Sequence, residues 1–218
     1  MMSEDERRVH IAADSVTLEG SLAVPEEAQA IVIFAHGSGS SRHSPRNRHV
    51  AQALCEDNLA TLLFDLLTAG EDAIDRRTRH LRFDIPLLAR RLVGATDWVA
   101  SQPQTRGLRL GYFGASTGSA AALIAATERP DAVGAIVSRG GRPDLAEAQL
   151  PRVEAPTLLI VGGNDPVVLD LNGKALDRLG CTKQLEVVPG ATHLFEEPGA
   201  LEKVAGLASQ WFRRHLTS

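Results

Sequence analysis

With 218 residues the chain is long enough for one large α/β unit with a full core and short for two. An apolar content of 44% and a formal charge of -4 fit a globular protein and give no case for a nucleic-acid partner, since no basic run or basic-aromatic interleaving accompanies them. The first residues, Met1-Met2-Ser3-Glu4-Asp5-Glu6-Arg7-Arg8, are too charged for a signal peptide, and no apolar stretch approaches the roughly eighteen residues of a membrane span, so no membrane partner and a cytoplasmic location are expected. Cys55 and Cys181 lie outside any Cys-x-x-Cys pair and read as reduced packing residues.

In chain order, residues 8–12 and 16–24 read as two short strands that pair antiparallel at a sheet edge. Residues 30–34, Ala-Ile-Val-Ile-Phe, form a continuous β-branched run, as expected of a parallel strand covered on both faces. The turn His36-Gly37-Ser38-Gly39 follows, its glycines allowing a backbone amide to point into a cavity. A helix over 47–57, a buried strand over 60–64 and a polar segment over 68–82 come next. Residues 84–101 carry Ile85, Leu88, Leu92, Ala95 and Val99 at helical spacing, with Pro86 in the first turn. Further strands are expected at 108–113, 132–137, 155–161 and 184–188, and further helices at 119–127, 145–150, 167–179 and 198–216. Strands alternating with helices at these intervals imply βαβ crossovers and a mostly parallel sheet with helices on both faces.

The chemistry centres on Gly114-Ala115-Ser116-Thr117-Gly118, which joins an apolar strand to an alanine-rich helix. A serine on so sharp a turn sits in a strained backbone, its hydroxyl lifted clear of the sheet, and the flanking glycines let strand and helix nearly touch. The Thr117 amide then opens a helix, where unpaired donors and the helix dipole can stabilise an oxyanion. In a parallel sheet a site forms at the carboxyl ends of the strands. Asp165, in Gly162-Gly163-Asn164-Asp165, and His193, in Gly190-Ala191-Thr192-His193, each follow a strand there. Serine alone is a weak nucleophile; an imidazole must take and return its proton, and a carboxylate must orient that imidazole. Hydrolysis should therefore fail at low pH. Taken singly, Asp165 could equally cap the following helix and His193 could be an exposed loop residue.

Together these motifs resemble the α/β-hydrolases, closest to the small lidless members of the dienelactone hydrolase-like branch; the likeness covers nearly the whole length, and residues 1–218 read as one α/β-hydrolase domain. The resemblance implies a three-layer sandwich with an eight-stranded, mostly parallel sheet and no lid. It implies a catalytic triad of Ser116, Asp165 and His193, and an oxyanion hole made by the amides of Thr117 and Ser38, with Gly39 as the alternative to Ser38 and as a substrate contact. Dienelactone hydrolase itself carries cysteine where this chain has Ser116, so specificity for dienelactone is not inherited. The expected activity is that of a serine esterase cleaving a small ester, lactone or thioester; acyl transfer or perhydrolysis by the same triad, and a ligand-binding member without turnover, are the alternatives. No cofactor or metal is expected, since no His-x-His or His-Glu-x-x-His spacing occurs.

The short interval between residues 138 and 155 leaves no room for a helical cap, so a shallow pocket walled by loops is expected. Those loops carry Arg42, Arg46, Arg48, Arg76, Arg77, Arg79, Arg139 and Arg142. They read either as a solvated face with partners such as Asp72, Asp75 and Asp144, or as a grip on an anionic part of a small-molecule substrate. Arg139, directly after a strand, is the best placed for the second role. His36 is expected to brace the oxyanion turn, and Asp65 to hold a neighbouring loop through backbone amides.

Overall fold

The computed structural model describes residues 6–217. Eight strands form one sheet: β1 (Glu6–Ala13), β2 (Val16–Ala23), β3 (Ala30–Ala35), β4 (Leu59–Phe64), β5 (Arg109–Ala115), β6 (Val133–Arg139), β7 (Thr157–Gly162) and β8 (Lys183–Val188). Their spatial order is β1-β2-β4-β3-β5-β6-β7-β8. The β1–β2 and β2–β4 pairs are antiparallel and the remainder parallel. The central strands β3 and β4 are buried at all six positions, which is why they are continuous apolar runs rather than alternating ones.

Six helices cover the sheet: α1 (Pro45–Glu56), α2 (Ala69–Thr78), α3 (Ile85–Ser101), α4 (Thr117–Glu128), α5 (Pro166–Arg178) and α6 (Ala200–Leu216). One core layer packs Ile31, Ile33 and Tyr112 against Leu88, Leu92 and Ala121 of α3 and α4. The other packs Val32, Phe34 and Phe113 against Val50 and Leu54 of α1 and Val204 and Phe212 of α6. Alternate residues of one strand therefore feed opposite layers.

Two expected elements differ. The polar segment 68–82 contains α2, started by a capping box in which Thr68 Oγ1 accepts from the Glu71 amide and Glu71 Oε2 from the Thr68 amide. The helix expected over 145–150 is replaced by two single 3-10 turns, Pro143–Ala146 and Leu150–Arg152, each with a proline in its first turn. Among the described residues no helix is long and apolar enough to cross a membrane.

Candidate active site

Ser116 links β5 to α4 with φ 50° and ψ -121°, a region that a residue with a Cβ enters only under strain. The surroundings hold it there. Its amide donates to the Arg139 carbonyl (3.2 Å), extending the β5–β6 ladder by one residue, and its carbonyl accepts from the Arg142 amide (3.1 Å). The flanking glycines are required sterically: a Cβ on Gly114 would lie 2.5 Å from Ser119 Cα, and one on Gly118 2.1 Å from the Ala35 carbonyl oxygen. A Cβ on Gly37 would lie 3.1 Å from Ser116 Cβ, so the turn after β3 presses directly on the serine.

His193 Nδ1 donates to Asp165 Oδ2 at 2.7 Å; the carboxylate can only accept, so Nδ1 carries a proton, and in the neutral ring Nε2 is the acceptor. The two loops are tied to each other beneath this bond. Gly163 N donates to Val188 O, Asn164 N to Ala191 O and Asn164 Nδ2 to Gly190 O, each at 2.9 Å. The His193 ring lies on Gly140, where a Cβ would be 3.5 Å from its Cε1. Gly140 belongs to the turn that holds both peptide groups of Ser116. The serine, the imidazole and the carboxylate thus lie at one edge of the sheet; among the described residues no hydrogen bond joins the Ser116 hydroxyl to His193.

His36 braces the turn after β3 as expected. Its Nε2 accepts from the Leu66 amide (3.1 Å), which places the proton on Nδ1, donating to the Gly37 carbonyl (2.9 Å). Burial pushes its pKa below the ordinary histidine value, against the pull of the Gly37 carbonyl, and keeps the ring neutral. Asp65 holds the Arg42 amide (2.7 Å) and guanidinium. The Ser38 amide is not a free donor: it donates to Thr117 Oγ1 at 2.9 Å.

A cavity of about 880 Å³ opens beside this edge, lined by residues 36–45, by the chain from Asp65 to Gly70, and by Asp75, Arg76 and Arg82 among others. It shares His36–Gly39 with the serine turn. Ser116, Asp165 and His193 lie outside its lining. Its far wall is built by α2 and the 3-10 turn Leu81–Phe83, so the β4–α3 connection supplies the wall and not the β6–β7 interval.

The loop arginines are largely matched to carboxylates: Arg42 to Asp65 and Glu19, Arg46 to Glu196, Arg48 to Glu6, Arg76 to Asp72, and Arg142 to Asp144. Arg139 is placed differently from the expected substrate grip. It follows Ala135 and Val137 on the face of β6 that meets α1, is 8% exposed, and its Nη2 donates to Asn47 Oδ1 (3.2 Å). Its Nε and Nη1 are buried without a partner among the described residues. Burial, with Arg46 nearby, pushes its pKa down to about 10, still a charged guanidinium at neutral pH. The structure also brings in Arg82, which the sequence did not single out. Buried Asp75 accepts from Arg82 Nε (2.5 Å) and from the amides of Leu81 and Arg82, and the Arg82 Nη1 edge is left at Gly39, 3.1 Å from where a Cβ would stand.

A sheet of this order, with a strained serine between β5 and α4 and an aspartate–histidine pair after β7 and β8, defines an α/β-hydrolase fold. The chain belongs to the dienelactone hydrolase family, whose model matches residues 18–216. It is similar to the crystal structure of a dienelactone hydrolase from Anabaena variabilis, with 61% identity and a TM-score of 0.96 over 97% of this chain and 98% of that one. A Xanthomonas campestris α/β serine hydrolase without a lid shares the fold at 20% identity and a TM-score of 0.77, over 100% of this chain and 98% of that one. A Mycobacterium tuberculosis protein, provisionally named a phosphoribosyl transferase, is 58% identical over 211 residues. That alignment covers 97% of this chain and 47% of the relative, so the chain spans about half the length of this relative.

Proposed function

We propose that the chain is a serine esterase that cleaves a small carboxylic ester, lactone or thioester through an acyl-enzyme. Ser116 is the nucleophile, His193 the general base and acid, and Asp165 the group that orients the imidazole. The observation that carries this reading is the 2.7 Å bond from His193 to Asp165, formed between two loops at the edge where Ser116 is held in strain. In attack, Ser116 Oγ bonds to the acyl carbon, its proton passes to His193 Nε2, and the carbonyl π pair moves onto oxygen. Collapse of that adduct breaks the bond to the leaving group, which takes the proton from His193; water repeats the sequence to release the acid. Thr117 N, at the first position of α4 where no intrahelical acceptor exists, faces the developing oxyanion.

The substrate is proposed to be neutral. The charged groups on the cavity wall are Arg42, Arg76 and Arg82 against Glu19, Asp65, Asp72 and Asp75, and each arginine is engaged by one of these carboxylates. No surplus of positive charge is left to favour an anion.

A fluorophosphonate probe should label the protein and fail on Ser116→Ala, which should also lose about three or more orders of magnitude in turnover of a short p-nitrophenyl ester. Labelling that survives the substitution would rule out Ser116, and an unlabelled wild type would favour the ligand-binding alternative. The transferase name belongs to an M. tuberculosis protein about twice as long as this chain.

A further inference from the structure

We propose that the Thr117 hydroxyl is itself a donor to the oxyanion and that the Ser38 amide acts through it. The inference rests on the reading of Ser116 as nucleophile. It changes how the second arm of the oxyanion hole works.

The starting observation is that Ser38 N–H, the amide that would serve as the second arm, is already engaged by Thr117 Oγ1 at 2.9 Å across 79 positions of sequence. A hydroxyl has one proton and two lone pairs. With Ser38 donating to one lone pair, the Thr117 proton must point away from Ser38, and among the described residues nothing accepts it. Water does little to satisfy it, since Thr117 is 4% exposed. As the first residue of α4, Thr117 also has an amide with no intrahelical acceptor, so that N–H is left open too. One residue next to the nucleophile therefore presents an N–H and an O–H, and the close approach of Gly37 to Ser116 Cβ keeps the Ser38 turn against them.

The chain N–H(Ser38)···O–H(Thr117)···O⁻ is polarised in one direction. Each link strengthens the next, and the hydroxyl rotor is set before charge develops, so little reorganisation is needed. A neutral ground-state carbonyl gains less from such a chain than the full oxyanion does. The hydroxyl should therefore act on kcat and not on KM. The opposite reading, in which Thr117 merely occupies the Ser38 amide, makes the opposite forecast: removing the hydroxyl frees that amide to donate directly, and turnover holds or rises.

Thr117→Val keeps the buried branched shape and removes the hydroxyl, so the sign of its effect decides. With p-nitrophenyl acetate, kcat should fall about 100-fold with KM within about threefold, and fluorophosphonate modification of Ser116 should slow by a similar factor. Thr117→Ser, which returns the hydroxyl, should recover kcat to within about fivefold of wild type. A Thr117→Val enzyme that keeps or gains kcat overturns the proposal. If that variant melts early by circular dichroism, Thr117→Ala is measured instead. In that case, inhibition by an aryl trifluoromethyl ketone, which forms the same oxyanion adduct, must weaken about 100-fold while a ground-state amide analogue binds unchanged. A wild type that is not modified at Ser116 overturns this inference and the esterase reading together; a modified wild type with an unaffected Thr117→Val overturns this inference alone.

Discussion

Asp165 binds His193 with one carboxylate oxygen and caps α5 with the other. Oδ2 accepts from the imidazole at 2.7 Å, while Oδ1 faces the Val168 amide at 3.4 Å. The two readings open to this residue in the sequence, helix cap and catalytic carboxylate, are compatible, because a carboxylate has two oxygens that accept independently.

The two roles separate by substitution. Asparagine caps helices as well as aspartate does but carries no charge to support an imidazolium. Asp165→Asn should lose about three or more orders of magnitude in kcat with little change in melting temperature. Asp165→Ala should show the same kinetic loss and a further destabilisation of about 1 kcal/mol in urea unfolding.

Strain at Ser116 should be recoverable as stability. Glycine adopts φ 50° without a Cβ penalty, so Ser116→Gly is expected to abolish turnover and raise stability by about 1 kcal/mol. An unchanged or lower urea midpoint would mean that the turn is not strained.

His36 gives stability a dependence on pH. Its folded pKa lies below the ordinary value of 6.5, so above that value neither state is protonated and the group has no effect. As pH falls below 6.5 the unfolded chain takes up a proton that the folded ring refuses, and stability drops by up to about 1.4 kcal/mol per pH unit until the folded pKa is reached. Urea titrations at pH 8, 6.5 and 5 should show this slope, flattened in His36→Gln.

Arg139 is a buried cation without a carboxylate, and such groups contribute little net stability against a well-packed apolar side chain. Arg139→Met should remain within about 1 kcal/mol of wild type or exceed it, and should leave the ratio of rates on neutral and carboxylate-bearing esters unchanged. A loss of carboxylate ester activity alone would restore Arg139 as a substrate contact.

Ser116 and Asp165 were legible because they come just after the apolar runs of β5 and β7, which read as buried strands; His193 follows β8, where only Val188 is buried, and its signal was the loop motif Gly190-Ala191-Thr192-His193 before the last helix. The inward turn of Arg139 is legible in phase, since it continues the alternation of Ala135 and Val137 on one face of β6, whereas its position at the strand end points to the site. Helix α2 was hidden because its only buried residue is Asp75, so it has no apolar stripe; the Thr68–Glu71 capping box was the available signal. Arg82 was missed for the same reason, since its place depends on that buried carboxylate. The Ser38–Thr117 bond joins residues that no local pattern relates.

Asp165 and His193 follow the last two strands, and the second of these, β8, is the outer strand of the sheet. β8 has a single neighbour and only Val188 of its six residues is buried, while the loops that follow β7 and β8 are bonded mainly to one another. Fraying of β8 would displace the Asp165–His193 pair as a unit sooner than the Ser116 turn, which is bonded to the interior strands β5 and β6. On gentle warming the protein should fall silent towards esters while its circular dichroism still reports a folded molecule, and cooling should return the activity.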